Sequence, residues 1–140
     1  MGSPNRERIA TLVGEARRAL GQLHQHGAES ERDLLASEVK LGNIKYQFIV
    51  AIESCIDICT HIAASSYVRA PESYAGCFDL LLEAKVIDKV LAGHMSELAR
   101  FRNLLVHRYW EVNNQRVVEK LRNDLTHMED FLRKAAAVAP

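Results

Sequence analysis

Apolar residues recur every three or four positions along most of the chain, separated by charged and polar residues. This spacing predicts α-helices, because residues three and four apart lie on one face of a helix. A first helix is predicted from about Arg6 to about Gln25. A long second helix follows Ser30, which resembles a capping residue, and continues to about Ala64 with a weak point at Gly42. The apolar faces of these two helices are predicted to contain Ile9, Leu12, Val13, Ala16, Leu20 and Leu23 in the first, and Val39, Ile44, Phe48, Ile52, Ile56, Cys59 and Ile62 in the second.

Three further helices are predicted in the second half of the chain. The loop Tyr67–Ser73 precedes a short third helix and supplies its cap, Ser73. Asp88 is expected to cap the fourth helix and Asn113 the fifth, since their side chains accept hydrogen bonds from the free amides of a first turn. No segment alternates polar and apolar residues over a useful length, as a strand would. We therefore predict an all-α fold, an up-and-down bundle of about five helices in one domain over residues 1–140. The residues predicted to face inward are Phe78, Leu81 and Leu82 in the third helix, Leu91, Met95, Leu98, Phe101 and Leu105 in the fourth, and Val117, Leu121, Leu125, Met128 and Leu132 in the fifth.

Charge is balanced over the whole chain but not along it. The 140 residues include 18 Lys and Arg against 18 Asp and Glu, so the molecule as a whole does not attract nucleic acid. Between residues 97 and 122, six basic residues stand against three acidic ones, a local excess of three. Any contact with RNA must use this region, unless it is simply a solvated helix end. The residues counted are Arg100, Arg102, Arg108, Arg116, Lys120 and Arg122 against Glu97, Glu111 and Glu119.

The three cysteines and the hydropathy pattern bear on the cellular compartment. Cys55 and Cys59 lie four residues apart in an apolar helix, and Cys77 adds no metal-binding spacing, so we expect buried, reduced thiols. The N-terminal residues lack the apolar core of a signal peptide. The longest apolar run, 48–52, is too short to cross a bilayer. These features predict a cytoplasmic protein with no membrane contact and no cofactor.

The chemistry is concentrated in residues 102–109, Arg-Asn-Leu-Leu-Val-His-Arg-Tyr, near the end of the fourth predicted helix. The guanidinium of Arg102 can hold a phosphate through a planar fork of donors. The imidazole of His107 can exchange protons near neutral pH. Because RNA carries its own nucleophile, the 2′-hydroxyl, these groups suggest cleavage of a phosphodiester without a metal, leaving a cyclic phosphate. An interpretation in which His107 only interacts with the helix dipole stays open.

Helical geometry separates the two residues. Arg102 and His107 lie five positions apart, about 140° around a helix, whereas Asn103 and His107 share a face. Either the Arg102 side chain curls around the helix, or the helix ends before His107, or the groups meet across two subunits. A homodimer would supply two imidazoles and two guanidiniums to one reaction. Asn103 is predicted to orient His107 or the phosphate, unless it is a surface amide.

Three polar residues on the long helix, Glu53, Asp57 and His61, follow one another at intervals of four. They could bind a metal ion, but ligands on successive turns of one helix reach poorly around a single ion. We favour a supporting role, in which Asp57 or Glu53 pairs with Arg102 or supports the site from behind. No metal is therefore assigned.

The octapeptide and its surroundings resemble the HEPN superfamily and, more narrowly, the HepT-type toxins. Residues 102–110 resemble the Arg-x4-His-x-Tyr pattern of these toxins, and residues 51–62 resemble their long central helix. Residues 71–74 and Phe78 are also similar to the family. The resemblance extends from about Lys45 to the end of the chain.

The resemblance implies a small all-α ribonuclease toxin that dimerises with its motifs together. It implies a partner, a minimal nucleotidyltransferase antitoxin of the MntA type. Arg102 and His107 would be catalytic, and Tyr109 would be the hydroxyl that the antitoxin modifies with adenylate, a bulky anionic group beside Arg102. The alternative is a non-catalytic HEPN-like module that docks a nucleotidyltransferase or holds a nucleotide, and the zero net charge keeps it open.

Overall fold

The computed structural model describes residues 6–66 and 73–138, and over these residues the protein is helical with no strand. The described chain forms seven α-helices and one short 3-10 helix, which confirms the predicted all-α class. The predicted loop before Ser73 lies outside the described residues. The helices are α1 (Arg6–Gly27), α2 (Glu31–Leu35), α3 (Glu38–Ser66), α4 (Tyr74–Glu83), α5 (Lys89–His107), the 3-10 helix η1 (Tyr109–Glu111), α6 (Asn114–Asn123) and α7 (Leu125–Val138).

α3 is the central helix of the bundle. It packs along α1 and also contacts α2, α4, α5, α6 and α7, so Phe48, Ile52 and Ile62 have no exposed surface. By length and mean hydropathy, 1.5 in its most apolar window, the segment 38–65 could cross a membrane, but 56% of that window is buried inside the fold. These apolar side chains form the core that the other helices share.

Hydrogen bonds at the helix starts confirm the four predicted caps. The hydroxyls of Ser30 and Ser73 and the carboxylate of Asp88 each accept from a backbone N–H three residues later, at 2.8–3.1 Å. The side-chain oxygen of Asn113 accepts from the N–H two residues later at 2.9 Å. Each cap satisfies an amide that the first turn leaves without a partner and contributes about 1 kcal/mol. The polar residues that interrupt the apolar pattern therefore fix where α2, α4, α5 and α6 begin.

Two predicted helices are each divided, which is why the described chain has seven helices rather than about five. The long second helix breaks at Ser37 and not at Gly42, which lies inside α3. Ser37 Oγ accepts a hydrogen bond from the N–H of Lys40 at 3.2 Å and so starts a new helix. Val39 lies in the first turn of the helix that starts after Ser37, and its side chain is 84% exposed. The prediction that Val39 faces inward is therefore wrong. The predicted last helix divides at Asp124, a poor helix former, into α6 and α7.

Two edge-to-face pairs of phenylalanines connect helices that are distant in the chain. Phe48 on α3 contacts Phe101 on α5, and Phe78 on α4 contacts Phe131 on α7, each with ring centroids 5.4 Å apart. The Lys120 ammonium lies 5.1 Å from the centroid of the Phe101 ring, so α6 joins the same contact. Phe101 thereby anchors the turn of α5 that carries the predicted chemistry.

The cysteines differ from the expectation in one respect. All three are buried, as predicted for Cys55 and Cys59, but Cys59 on α3 and Cys77 on α4 form a disulfide with Cα atoms 6.2 Å apart. The prediction of reduced thiols is therefore wrong for this pair, which meets only because α4 packs on α3. Cys55 is a free thiol, and burial raises its pKa to about 12.

His94 on α5 and His127 on α7 stack face to face, with ring centroids 3.6 Å apart and planes 8° from parallel. Burial lowers the pKa of His127 and the neighbouring His94 lowers it further, whereas Asp124, Asp130 and Glu97 oppose the shift. The folded protein therefore favours the neutral imidazole of His127.

We expect this histidine to make the fold less stable in mild acid. Because the pKa is depressed in the folded state, the unfolded chain binds the proton first as the pH falls below about 6.5. The stabilisation is thus present above that pH and is lost as the pH falls toward the folded-state pKa. The free energy of unfolding, from urea titrations at pH 7.5 and 5.5, should decrease less in His127→Gln than in the parent.

His107→Gln is the control for this comparison, since His107 is exposed and has no ion pair among the described residues. It should keep the pH dependence of the parent. Identical pH dependence in His127→Gln and the parent would contradict the role assigned to the stacked pair.

Candidate active site

Residues 102–109 lie where α5 ends. The helix continues through His107, and Arg108 then leaves the helical conformation with φ −140° and ψ 43°. The Arg108 N–H donates to the carbonyl of Leu104 at 2.9 Å, and η1 follows with Tyr109 as its first residue. The arrangement in which the helix ends before His107 is therefore wrong, because both predicted catalytic residues lie on one continuous helix.

Arg102 extends toward α3, where it pairs with Glu53. Its Nε and Nη2 atoms lie 2.8 and 2.7 Å from Glu53 Oε2. The Arg102 side chain is 13% exposed and that of Glu53 is 41% exposed. The charge-assisted hydrogen bond from Nε and the close ion-pair contact of Nη2 at the same carboxylate oxygen hold the plane of the guanidinium in a fixed orientation. The predicted pairing of Arg102 with a carboxylate of the long helix is confirmed for Glu53.

Asn103 links Arg102 to the surface that His107 occupies. Its Oδ1 accepts a hydrogen bond from Arg102 Nη1 at 3.0 Å. It also lines, with His107 and Arg100, a shallow depression of about 440 Å³. Arg102 does not line this depression. The guanidinium of Arg102 and the imidazole of His107 therefore lie on different sides of α5, and Asn103 contacts the first and lines the depression beside the second.

His107 and Tyr109 are both open to solvent. His107 is exposed and has no hydrogen bond or ion pair among the residues that the structure describes. Tyr109 is 69% exposed, and its ring meets Trp110 edge to face with centroids 5.5 Å apart. Arg108 is paired with Glu111. The side chains of His107 and Tyr109 are thus accessible to a molecule that binds at this end of α5.

Asp57 lies one turn beyond Glu53 on α3. The arginine whose charge acts on the Asp57 carboxyl is Arg8, and not Arg102. Loss of water around the Asp57 carboxyl raises its pKa, Arg8 on α1 opposes this, and the charge of Glu53 adds to it. Of the two predicted carboxylates, the structure therefore selects Glu53 as the partner of Arg102. Across residues 6–66 and 73–138, no group of three His, Cys, Asp or Glu side chains is arranged to hold a metal ion.

Arg100 was not among the predicted site residues. It is exposed and shares the depression with His107. The sequence does indicate that Arg100 lies on the same face as His107, because the two residues are seven positions apart, about two helical turns. Arg100, Asn103 and His107 consequently form one row along α5.

The helical bundle, with an exposed imidazole and a carboxylate-bound guanidinium on one helix, agrees with the HEPN-like class predicted from the sequence. The chain belongs to the Ribonuclease HepT-like family, whose HepT-like model matches residues 16–135. It is 27% identical over 125 residues to the mRNA nuclease HepT of Shewanella oneidensis. The aligned region covers 89% of this chain and 90% of that protein. The predicted family and the ribonuclease class of enzyme are thereby confirmed.

Solved structures share the same fold. A tri-AMPylated HEPN toxin of Shewanella oneidensis in complex with an MNT antitoxin matches with a TM-score of 0.86 at 23% identity, covering 93% of this chain and 97% of that one. The cytosolic protein of unknown function YutE from Bacillus subtilis matches with a TM-score of 0.85 at 19% identity, covering 98% and 92%. At these identities the likeness shows the fold.

Removing the Glu53 carboxylate should destabilise the protein, because a largely buried guanidinium would lose one carboxylate partner. Glu53→Ala should lower the free energy of unfolding by about 1–2 kcal/mol, a value reduced by water because Glu53 is 41% exposed. Glu53→Gln keeps an acceptor and should lose less. Urea titrations followed by circular dichroism measure all three proteins.

Glu119→Ala is the matched control. Glu119 is an exposed glutamate on α6 that has no ion pair or hydrogen bond among the described residues. If Glu53→Ala were no less stable than Glu119→Ala, the pairing with Arg102 would contribute nothing in solution.

Proposed function

We propose that this protein is a metal-independent endoribonuclease toxin that cleaves RNA with Arg102 and His107. One observation carries the proposal: His107 lies exposed at the end of α5, and Asn103 connects the surface beside it to the guanidinium of Arg102. A phosphate bound over Asn103 would lie beside the His107 imidazole, and the guanidinium that contacts Asn103 would add positive charge from the other side of the amide. Glu53 and Asn103 are the positioning residues for Arg102. Membership of the Ribonuclease HepT-like family supports the same reaction.

The proposed reaction is a transfer within the RNA strand. His107 takes the proton of the 2′-hydroxyl, and the 2′-oxygen forms a bond to phosphorus while the bond from phosphorus to the 5′-oxygen breaks. A second, protonated imidazole gives its proton to the departing 5′-oxygen, so the products are a cyclic phosphate and a 5′-hydroxyl. Arg102 stabilises the charge that grows on the phosphate oxygens. Each acid or base contributes about 10²–10⁴-fold to the rate.

The second imidazole comes from a second protomer in a homodimer. Two features of one protomer support this arrangement. Arg102 and His107 lie on different sides of α5, so a single protomer does not present both directly to one phosphate. Val106 and Trp110, at the same end of α5, are 38% and 69% exposed and offer apolar surface to a partner. An isologous dimer would bring two copies of this helix end together.

A minimal nucleotidyltransferase antitoxin of the MntA type is the proposed regulator, and it attaches adenylate to Tyr109. Tyr109 lies two residues beyond His107 and is 69% exposed, so a modifying enzyme can reach its hydroxyl. Adenylate adds bulk and negative charge beside the phosphate site and so opposes RNA binding. The similar HEPN toxin of Shewanella oneidensis is tri-AMPylated in its complex with an MNT antitoxin. A cytoplasmic location, where RNA is present, fits both proposals, and the similar protein YutE is cytosolic.

His107→Ala should remove RNA cleavage without unfolding the protein, because His107 is exposed and its truncation opens no cavity. The initial rate on single-stranded RNA, measured with a chelator present, should fall at least about 100-fold. The circular dichroism spectrum and the oligomeric state should not change. His24→Ala removes a half-exposed histidine of α1 and should cleave at the parent rate.

Cleavage by His107→Ala at the parent rate in chelator would refute the assignment of the catalytic histidine. A parent protein that binds ATP or a nucleotidyltransferase yet leaves transfer, messenger and ribosomal RNA intact would instead identify the alternative, a non-catalytic docking module.

Tyr109→Phe should escape adenylylation, because the phenol oxygen is the proposed acceptor. Co-expression with a minimal nucleotidyltransferase, followed by intact-protein mass spectrometry, should show one or more added adenylates on the parent and none on the variant. Tyr46→Phe is the control, since Tyr46 is a second exposed tyrosine, 61% exposed, on α3. It should be modified like the parent. Adenylate found on Tyr109→Phe would move the modification site elsewhere.

A further inference from the structure

A second recess adjoins the depression that contains His107. It lies where α5, η1 and α6 meet, has a volume of about 640 Å³, and is lined by Arg100, Leu104, Val112, Arg116 and Lys120 among others. Arg100 and Leu104 line both recesses, so the two are continuous along α5. We call the larger one the α5–α6 cleft.

The charges of the α5–α6 cleft leave two guanidiniums available. The side chains of Arg100 and Arg116 are exposed and have neither an ion pair nor a hydrogen bond among the described residues. The neighbouring charges are largely compensated, since Glu111 pairs with Arg108 and Lys120 pairs at 3.2 Å with Asp124, the residue that follows α6. Glu97 also lines the cleft, so two uncompensated cations stand against one carboxylate.

The wall of the cleft between these guanidiniums is apolar. Leu104 and Val112 are partly exposed and line it, and Phe101 lies behind them with 6% of its surface exposed. A flat aromatic group could rest on this wall while the arginines reach anionic oxygens at its rim. Apolar contact for a base beside paired guanidiniums for phosphates is the chemistry of a single-stranded nucleic acid site.

We propose that the α5–α6 cleft is a binding site for the RNA strand next to the scissile phosphate. Arg100 and Arg116 bind the phosphates of the neighbouring nucleotides, and Leu104 and Val112 contact a base. The inference rests on the proposed ribonuclease function, because continuity with the His107 depression is what directs the strand into the cleft. Although the protein carries no net charge, the two arginines of the cleft would provide local positive charge for binding RNA.

Binding can be measured separately from cleavage in the His107→Ala protein. We would follow the fluorescence anisotropy of a labelled single-stranded RNA of about 12 nucleotides against salt concentration, with and without Arg100→Gln and Arg116→Gln. Each arginine lost should weaken binding about tenfold. The double variant should also reduce the slope of log affinity against log salt by about 1.4, or about 0.7 for each phosphate contact. Arg18→Gln, which removes an exposed arginine of α1, should match the unsubstituted protein.

Cleavage by protein with an intact His107 gives the second readout. For the long RNA, the double variant should raise KM and leave kcat nearly unchanged. A dinucleoside monophosphate, which has only the scissile phosphate, should lose much less kcat/KM than the long RNA on Arg116→Gln, because Arg116 lines the cleft and not the His107 depression. A parent protein that cleaves no RNA would defeat the proposed function while leaving the binding measurement to decide on the cleft.

Three outcomes would overturn the proposal for the cleft. The double variant could bind RNA with the affinity and salt slope of the protein that retains both arginines. Arg18→Gln could weaken binding as much as the double variant, which would mark a general charge effect. The double variant could bind RNA normally and lose only the nucleotidyltransferase, which would make the cleft a surface for the protein partner.

Discussion

The burial of α3 is the constraint on which the rest of the structure depends. This helix of 29 residues is apolar around most of its circumference, so it must be covered on several sides. α1, α4, α5 and α7 provide that cover. The edge-to-face contact of Phe48 with Phe101 sets the level at which α5 crosses α3. The polar residues of α3 are consequently left at the edges of this packing, and Glu53 lies at the edge that α5 passes.

The candidate site follows from the position of that edge. Because Phe101 is held in the core, the next residue, Arg102, begins at the rim of the core and meets Glu53 at 2.8 Å. The contact holds a cation in one orientation where it has lost most of its water. His107 lies five residues farther along, on a part of α5 that is exposed to solvent. The guanidinium of Arg102 and the imidazole of His107 thus lie on one helix but on different sides of it, because the core fixes the first and leaves the second in solvent.

Most of the fold could be predicted because its signals are local. Apolar spacing and a polar oxygen at a helix start act within a few residues, and they located the starts of α2, α4, α5 and α6. The break at Ser37 was missed because a serine in a helical pattern does not reveal whether its hydroxyl caps a new helix or faces water. The disulfide of Cys59 with Cys77 was missed because it depends on how α4 packs against α3.

By itself, the sequence determined the helical class and the family and predicted the candidate site residues, because residue type and short-range spacing suffice for each. Only the tertiary structure decided that Arg102 pairs with Glu53 rather than with Asp57, a contact between residues 49 positions apart. It also placed Arg100 where the His107 depression meets a second recess formed with α6. A charged side chain pairs with the opposite charge that helix packing brings close to it. Which residues come close is set by how the helices pack around the core, and not by their order in the sequence.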